Sequence, residues 1–144
     1  MRGARGAQAN KIFRGARALT PEEIAARAAH VADERRADDV EILDLRSLTV
    51  MTDYFVIASG TTAVQVRAIT EHIWDDLEHL GVRFKRREGY TDGRWVLLDY
   101  GDVVVHIFRH EDRQLYDLER LWGDAPRCAA QWDSDRLDLV VRDE

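Results

Sequence analysis

The sequence predicts an α/β (α+β) domain in which helices pack against one mixed sheet of about five strands. Three observations carry this. Apolar residues recur every three or four positions in some segments and alternate or run continuously over short blocks in others. Capping signals open the two long helical segments. The chain has 144 residues, 45% hydrophobic and 33% charged, which is the composition of one globular domain with a core of its own.

The elements follow in order. Thr20-Pro21-Glu22-Glu23 is a helix start: Thr20 caps, Pro21 suits the first helical position, and Glu23 completes a capping box. Ile24, Ala28, Val31 and Ala32 continue an apolar stripe that fades near Arg35–Asp38. Val40–Leu45 reads as a short strand. Tyr54–Ser59 reads as a second, apolar on both faces and therefore central. Gly60 ends it, and Thr62 with Gln65 opens a helix whose Val66, Ile69, Ile73, Leu77 and Leu80 share one face before Gly81. Val82–Arg87 reads as an exposed edge strand because Lys85, Arg86 and Arg87 close it. Trp95–Tyr100 and Val103–Phe108 are strands joined as a hairpin at Gly101-Asp102. Glu111–Trp122 is a short helix with Leu115, Leu118 and Leu121 near one face, stopped by Gly123. The order is α-β-β-α-β-β-β-α.

Three segments differ in charge. The formal net charge of −6 hides a leader, 1–19, read as disordered, with Arg2, Arg5, Lys11, Arg14 and Arg17 and no acid. Residues 21–123 hold 13 basic and 21 acidic residues, or −8, and residues 124–144 hold three arginines against six acids. The leader is open to three readings: an organellar transit peptide, a basic arm that touches RNA, or a variable extension of an Ala/Arg-rich sequence, the last preferred. The domain proper is 20–125. The acidic tail, 126–144, ends in an apolar patch, Leu137, Leu139, Val140 and Val141, whose conformation the pattern leaves open. An acidic body argues against general DNA or RNA binding, which needs a basic field. No apolar run approaches the length of a membrane span.

The residues that carry chemistry are few. Cys128 is the single cysteine, has no histidine near it in sequence, and reads as an incidental thiol. Ser59-Gly60-Thr61-Thr62 lies between strand and helix, where phosphates bind, but lacks the repeated glycines and the lysine of a phosphate loop; capping explains it. His106 and His110 are four apart, but His106 lies in a strand, so a hydrogen-bonded core or interface histidine is the better reading than a metal ligand. Asp53, Asp99 and Asp102 sit at strand ends, where acids hold magnesium for nucleotidyl transfer. That chemistry wants two acids alternating on a strand soon after a Gly-Ser turn, and here a long helix follows Gly60. No catalytic residue, metal site or cofactor is assigned. What remains is surface. Trp95, Leu97 and Asp99 share one face of their strand, and Val96, Leu98 and Tyr100 the other. Aromatic residues crowd the last third, as in a protein-binding hot spot or a core.

Asp53–Thr61, Gln65-Val66, Glu88-Gly89, the block Trp95–Phe108 and the block Tyr116–Trp122 together resemble the ribosomal silencing factor (Iojap-like) family, over Thr20 to Ala125. The resemblance implies a nucleotidyltransferase-like fold without enzymatic activity. It implies a cytoplasmic translational repressor that binds the large ribosomal subunit at protein L-fourteen, blocks joining of the small subunit, and damps translation when nutrients are short. Organellar members act instead in large-subunit assembly, and family members crystallise as homodimers. The implied contacts are Trp95 as anchor, Tyr100 as an apolar side contact, the Gly101 turn, and Asp99 or Asp102 pairing with basic groups of the partner. His106 and Tyr116 are family positions that packing explains equally well. Ala63 and Val64 depart from the family pattern, which has polar or basic residues there.

Overall fold

A computed structural model describes residues 18–142, so the leader assigned to 1–19 lies almost wholly outside the described residues. The elements run α1 (Pro21–Glu34), β1 (Asp38–Asp44), β2 (Tyr54–Gly60), α2 (Ala63–His79), β3 (Arg86–Glu88), β4 (Trp95–Asp99) and β5 (Val103–Arg109). They continue as α3 (His110–Tyr116), α4 (Leu118–Leu121), β6 (Arg127–Asp133) and β7 (Arg136–Val141). The strands form one mixed sheet in the order β3-β4-β5-β2-β1-β6-β7. β2 and β5 pair in parallel and every other pair is antiparallel.

The capping box predicted for α1 is present. The Glu23 N–H donates to Thr20 Oγ1 at 3.2 Å, and Glu23 Oε1 accepts from the Thr20 N–H at 2.8 Å. Thr20→Ala is expected to lower stability by about 1 kcal/mol, read as a shift of the urea midpoint at unchanged slope. Ala25, Ala28, Ala29 and Ala32 are buried, and their small side chains let α1 lie close on the sheet. In α2 the buried residues are Val66, Ile69, Thr70, Ile73 and Leu77. Arg27 and Asp76 join the two helices through paired hydrogen bonds at 2.7 and 3.0 Å. Both helices cover one face of the sheet, where Ile42, Val56, Val96, Leu98, Val105 and Ile107 complete the main core.

Three expectations are corrected. The sheet has seven strands, not about five, because the tail folds into a β6–β7 hairpin that pairs with β1 at Ile42↔Cys128 and Leu43↔Arg127. The edge strand is Arg86–Glu88 rather than Val82–Arg87, since Val82 and Phe84 turn inward to pack on the helix-side core. The helix expected over Glu111–Trp122 is broken: Asp117 takes a left-handed conformation (φ 48°), which ends α3 and redirects the chain into α4. The turn lets Leu118 and Trp122 pack beneath the sheet while Leu115 and Leu121 face solvent.

Candidate protein-docking face

The face of the sheet away from α1 and α2 is only partly covered. Strand alternation sends Leu43, Ile57, Phe108 and, less deeply, Phe55, Trp95, Leu97 and Val104 to this side. Leu43, Leu45, Ile57, Phe108 and Ala125 form a second buried cluster, with Phe55, Trp95, Leu118 and Trp122 packed against it and still partly exposed. Helical cover on this side comes from α3 and α4, of seven and four residues.

Trp95 is the centre of this face. Register places it opposite Phe108, and the two rings stack with centroids 4.9 Å apart. Tyr116, at the end of α3, lies 4.6 Å from the Trp95 ring and is half-exposed. The indole Nε1–H donates to His106 Nδ1 at 3.1 Å, which places the imidazole proton on Nε2. His106 is 4% exposed, its Nε2 meets no hydrogen-bond partner among the described residues, and its ring abuts Phe55 edge-on at 4.4 Å. Burial drives its pKa down to about 4, against a smaller upward pull from Asp99. The imidazole is therefore neutral at pH 7 and holds the indole as an acceptor.

The cover is pinned by one buried cation. Arg113 on α3 donates from Nε and Nη2 to Glu119 Oε2 at 2.9 and 2.7 Å, and from Nη1 to Ser59 Oγ at 2.7 Å. Ser59 Oγ thus serves as an acceptor for Arg113. The following turn does cap α2: Thr62 Oγ1 accepts from the Gln65 N–H at 3.1 Å, and Gln65 Oε1 accepts from the Thr61 N–H at 2.7 Å.

The β4–β5 loop is the two-residue turn Gly101-Asp102, closed by Tyr100 N–H to Val103 O at 2.9 Å. Gly101 stands at φ 90°, the conformation such a hairpin demands at its first position. Asp99 braces the turn: Oδ1 accepts from the Gly101 N–H at 2.8 Å and Oδ2 from Arg86 Nε at 3.2 Å. Of the two acids expected to meet a partner, Asp99 is thus engaged internally, whereas Asp102 is exposed and its carboxylate takes part in no ion pair among the described residues. Tyr100 departs from expectation. It is 8% exposed, points to the helix side beside Phe84, and its hydroxyl is buried without a partner among the described residues. Alternation along β4 puts it on the face opposite Trp95, so it offers no side contact there.

Sequence reasoning places Leu115 and Leu121 near one helix face with Leu118 but misses their exposure: they stand 74% and 72% exposed and with Tyr116 line a groove of about 490 Å³ on α3 and α4. Reading 111–122 as one continuous helix hides that signal. Cys128 is buried on the helix side, and burial pushes its thiol pKa up. Among the described residues no group of three or more His, Cys, Asp or Glu side chains is placed to hold a metal ion, and no helix is long and apolar enough to cross a membrane.

One face of the mixed sheet is thus closed by two helices, and the other is left partly open around a tryptophan held by ring stacking and a hydrogen bond. The sequence model of the family "Ribosomal silencing factor during starvation" matches residues 18–143, and the chain belongs to that family. The ribosomal silencing factor RsfS of Bacillus subtilis is 46% identical over 99 residues, which is 69% of this chain and 84% of that protein. A crystal structure of a protein from Chromobacterium violaceum superposes with a TM-score of 0.71 at 34% identity, over 73% of this chain and 88% of that one. A mouse protein named for mitochondrial assembly of the ribosomal large subunit is 32% identical over 92 residues, 62% of this chain and 40% of its own length.

Proposed function

We propose that this protein binds the large ribosomal subunit through protein L-fourteen, using the open face around Trp95, and there blocks joining of the small subunit. The observation that carries the reading is the half-open aromatic cluster of Trp95, Tyr116 and Phe55, fixed from beneath by His106 and Phe108. An aromatic anchor whose ring is already held loses little side-chain freedom on binding, which is what concentrates affinity in a few residues. The names of the relatives support the address: one is a ribosomal silencing factor and another is named for large-subunit assembly.

Charge supports a protein target. Residues 21–123 carry 13 basic and 21 acidic side chains, so a basic ribosomal protein attracts this domain more than rRNA phosphate does. Asp102 lies at the rim of the face with its carboxylate free to meet such a surface, where it adds orientation and encounter rate.

The test is co-sedimentation with purified large subunits, followed by a reassociation gradient with small subunits. The wild-type protein is expected to travel with the large subunit and to reduce the joined-particle peak. Trp95→Ala should weaken the association at least tenfold, about 1.4 kcal/mol, while keeping its circular dichroism spectrum. Retained binding by that variant refutes the site; binding without an effect on joining refutes the steric block.

A further inference from the structure

The loop between β1 and β2 carries the two most exposed apolar side chains among the described residues. Val50 and Met51 stand free in solvent, and Leu48 beside them is 41% exposed. The loop is braced. Leu48 and Thr49 N–H groups donate to Leu45 O at 2.9 and 3.1 Å, the Met51 N–H donates to Thr49 Oγ1 at 3.2 Å, and the Leu45 N–H closes the base on Asp53 O at 2.8 Å. Its base is tied to the β4–β5 turn, since Asp53 and Tyr54 N–H groups both donate to Asp102 O, at 2.8 and 3.1 Å. Leu45 itself is buried in the cluster beneath the open face.

We propose that Leu48, Val50 and Met51 form a second apolar anchor for the protein partner that meets Trp95, seated in an apolar depression on a basic surface. The proposal rests on the docking reading above. Three features favour this occupant. The tip is continuous with the open face through the Asp102 hydrogen bonds and Leu45. Asp53 and Asp102 flank it, and neither side chain takes part in an ion pair among the described residues, which suits a basic protein and repels both an anionic lipid surface and a second acidic copy of this chain. Area also favours it. One partly exposed tryptophan does not reach the roughly 800 Å² per partner of a stable interface, and a second anchor spreads the contact toward it. The unbranched Met51 side chain adapts to an irregular pocket.

The experiment measures binding of the full chain to purified large subunits for wild type, Trp95→Ala, the double variant V50S/M51S, and the conservative pair V50I/M51L. V50S/M51S should bind at least tenfold more weakly, mainly through faster dissociation, with an unchanged thermal midpoint, and V50I/M51L should bind as wild type does. If V50S/M51S binds normally while Trp95→Ala does not, the loop inference is overturned and the docking face stands. If both bind normally, both readings fall. Equilibrium sedimentation of the free proteins supplies the last outcome: a wild-type dimer that V50S/M51S converts to monomer, with ribosome binding intact, assigns the tip to self-association and overturns the proposal.

Discussion

Replacing Arg113 with methionine is expected to cost about 3 kcal/mol of stability and to lower the thermal midpoint by about 10 °C. The guanidinium is held by three hydrogen bonds of 2.7–2.9 Å to Glu119 and Ser59, and it is 9% exposed. Its loss leaves a partly buried carboxylate without a cation and a fully buried serine hydroxyl without a donor. Helices of seven and four residues do not persist without tertiary support. The Arg113 clamp is the polar part of that support, and the packing of Leu118 and Trp122 is the apolar part.

The pattern of variants separates this mechanism from a general loss of packing. Arg113→Met combined with Glu119→Met removes both charges together, so much of the lost stability should return. If the double variant is no more stable than the single one, the ion pair is not the source. The single variant should also bind large subunits less well, because Tyr116 leaves its place against Trp95. A single variant as stable as wild type would show that α3 and α4 are held by Leu118 and Trp122 alone.

The fold could be read from the sequence wherever the determinant is local. The Thr20 box, the Tyr54–Ser59 strand apolar on both faces and the helical stripe of α2 are each written within about 20 residues and appear where expected, except that Leu80 caps α2 and is 41% exposed instead of closing the stripe. The open face was half readable. A two-residue loop at Gly101-Asp102 already dictates that Trp95 faces Phe108 and Leu97 faces His106, so the hairpin implies the aromatic cluster. The remainder is tertiary. Arg113 and Ser59 lie 54 positions apart, and no periodicity joins them. The left-handed Asp117 has no glycine to announce it, because packing of Leu118 and Trp122 selects that conformation. The β6–β7 turn likewise runs through Ser134 at φ 58°, and a strand as charged as Arg136-Leu137-Asp138 alternates too weakly to separate it from a loop.

Acidification is expected to destabilise the protein through His106 before it does so through most carboxylates. In the unfolded chain this histidine titrates near its ordinary 6.5, and in the fold burial holds it at about 4. The lowered folded value means that the unfolded state takes up the proton first. The contribution is complete above pH 6.5 and is lost as pH falls toward 4, by which point the loss is about 3 kcal/mol. Urea midpoints at pH 7 and pH 4.5 for wild type and His106→Gln measure it by difference, since the carboxylates titrate alike in both proteins. The introduced glutamine is not ionisable, and its amide oxygen can still accept from the Trp95 indole. Wild type should lose about 2 kcal/mol more than the variant over that interval. Equal losses would mean that His106 is solvated and titrates normally. The same proton acts on the docking face. Imidazolium has no acceptor, so protonation sets two N–H donors against each other across the 3.1 Å between His106 Nδ1 and Trp95 Nε1. The indole must then move, and wild-type binding to large subunits should fall as pH drops through about 4 by more than binding of the glutamine variant does.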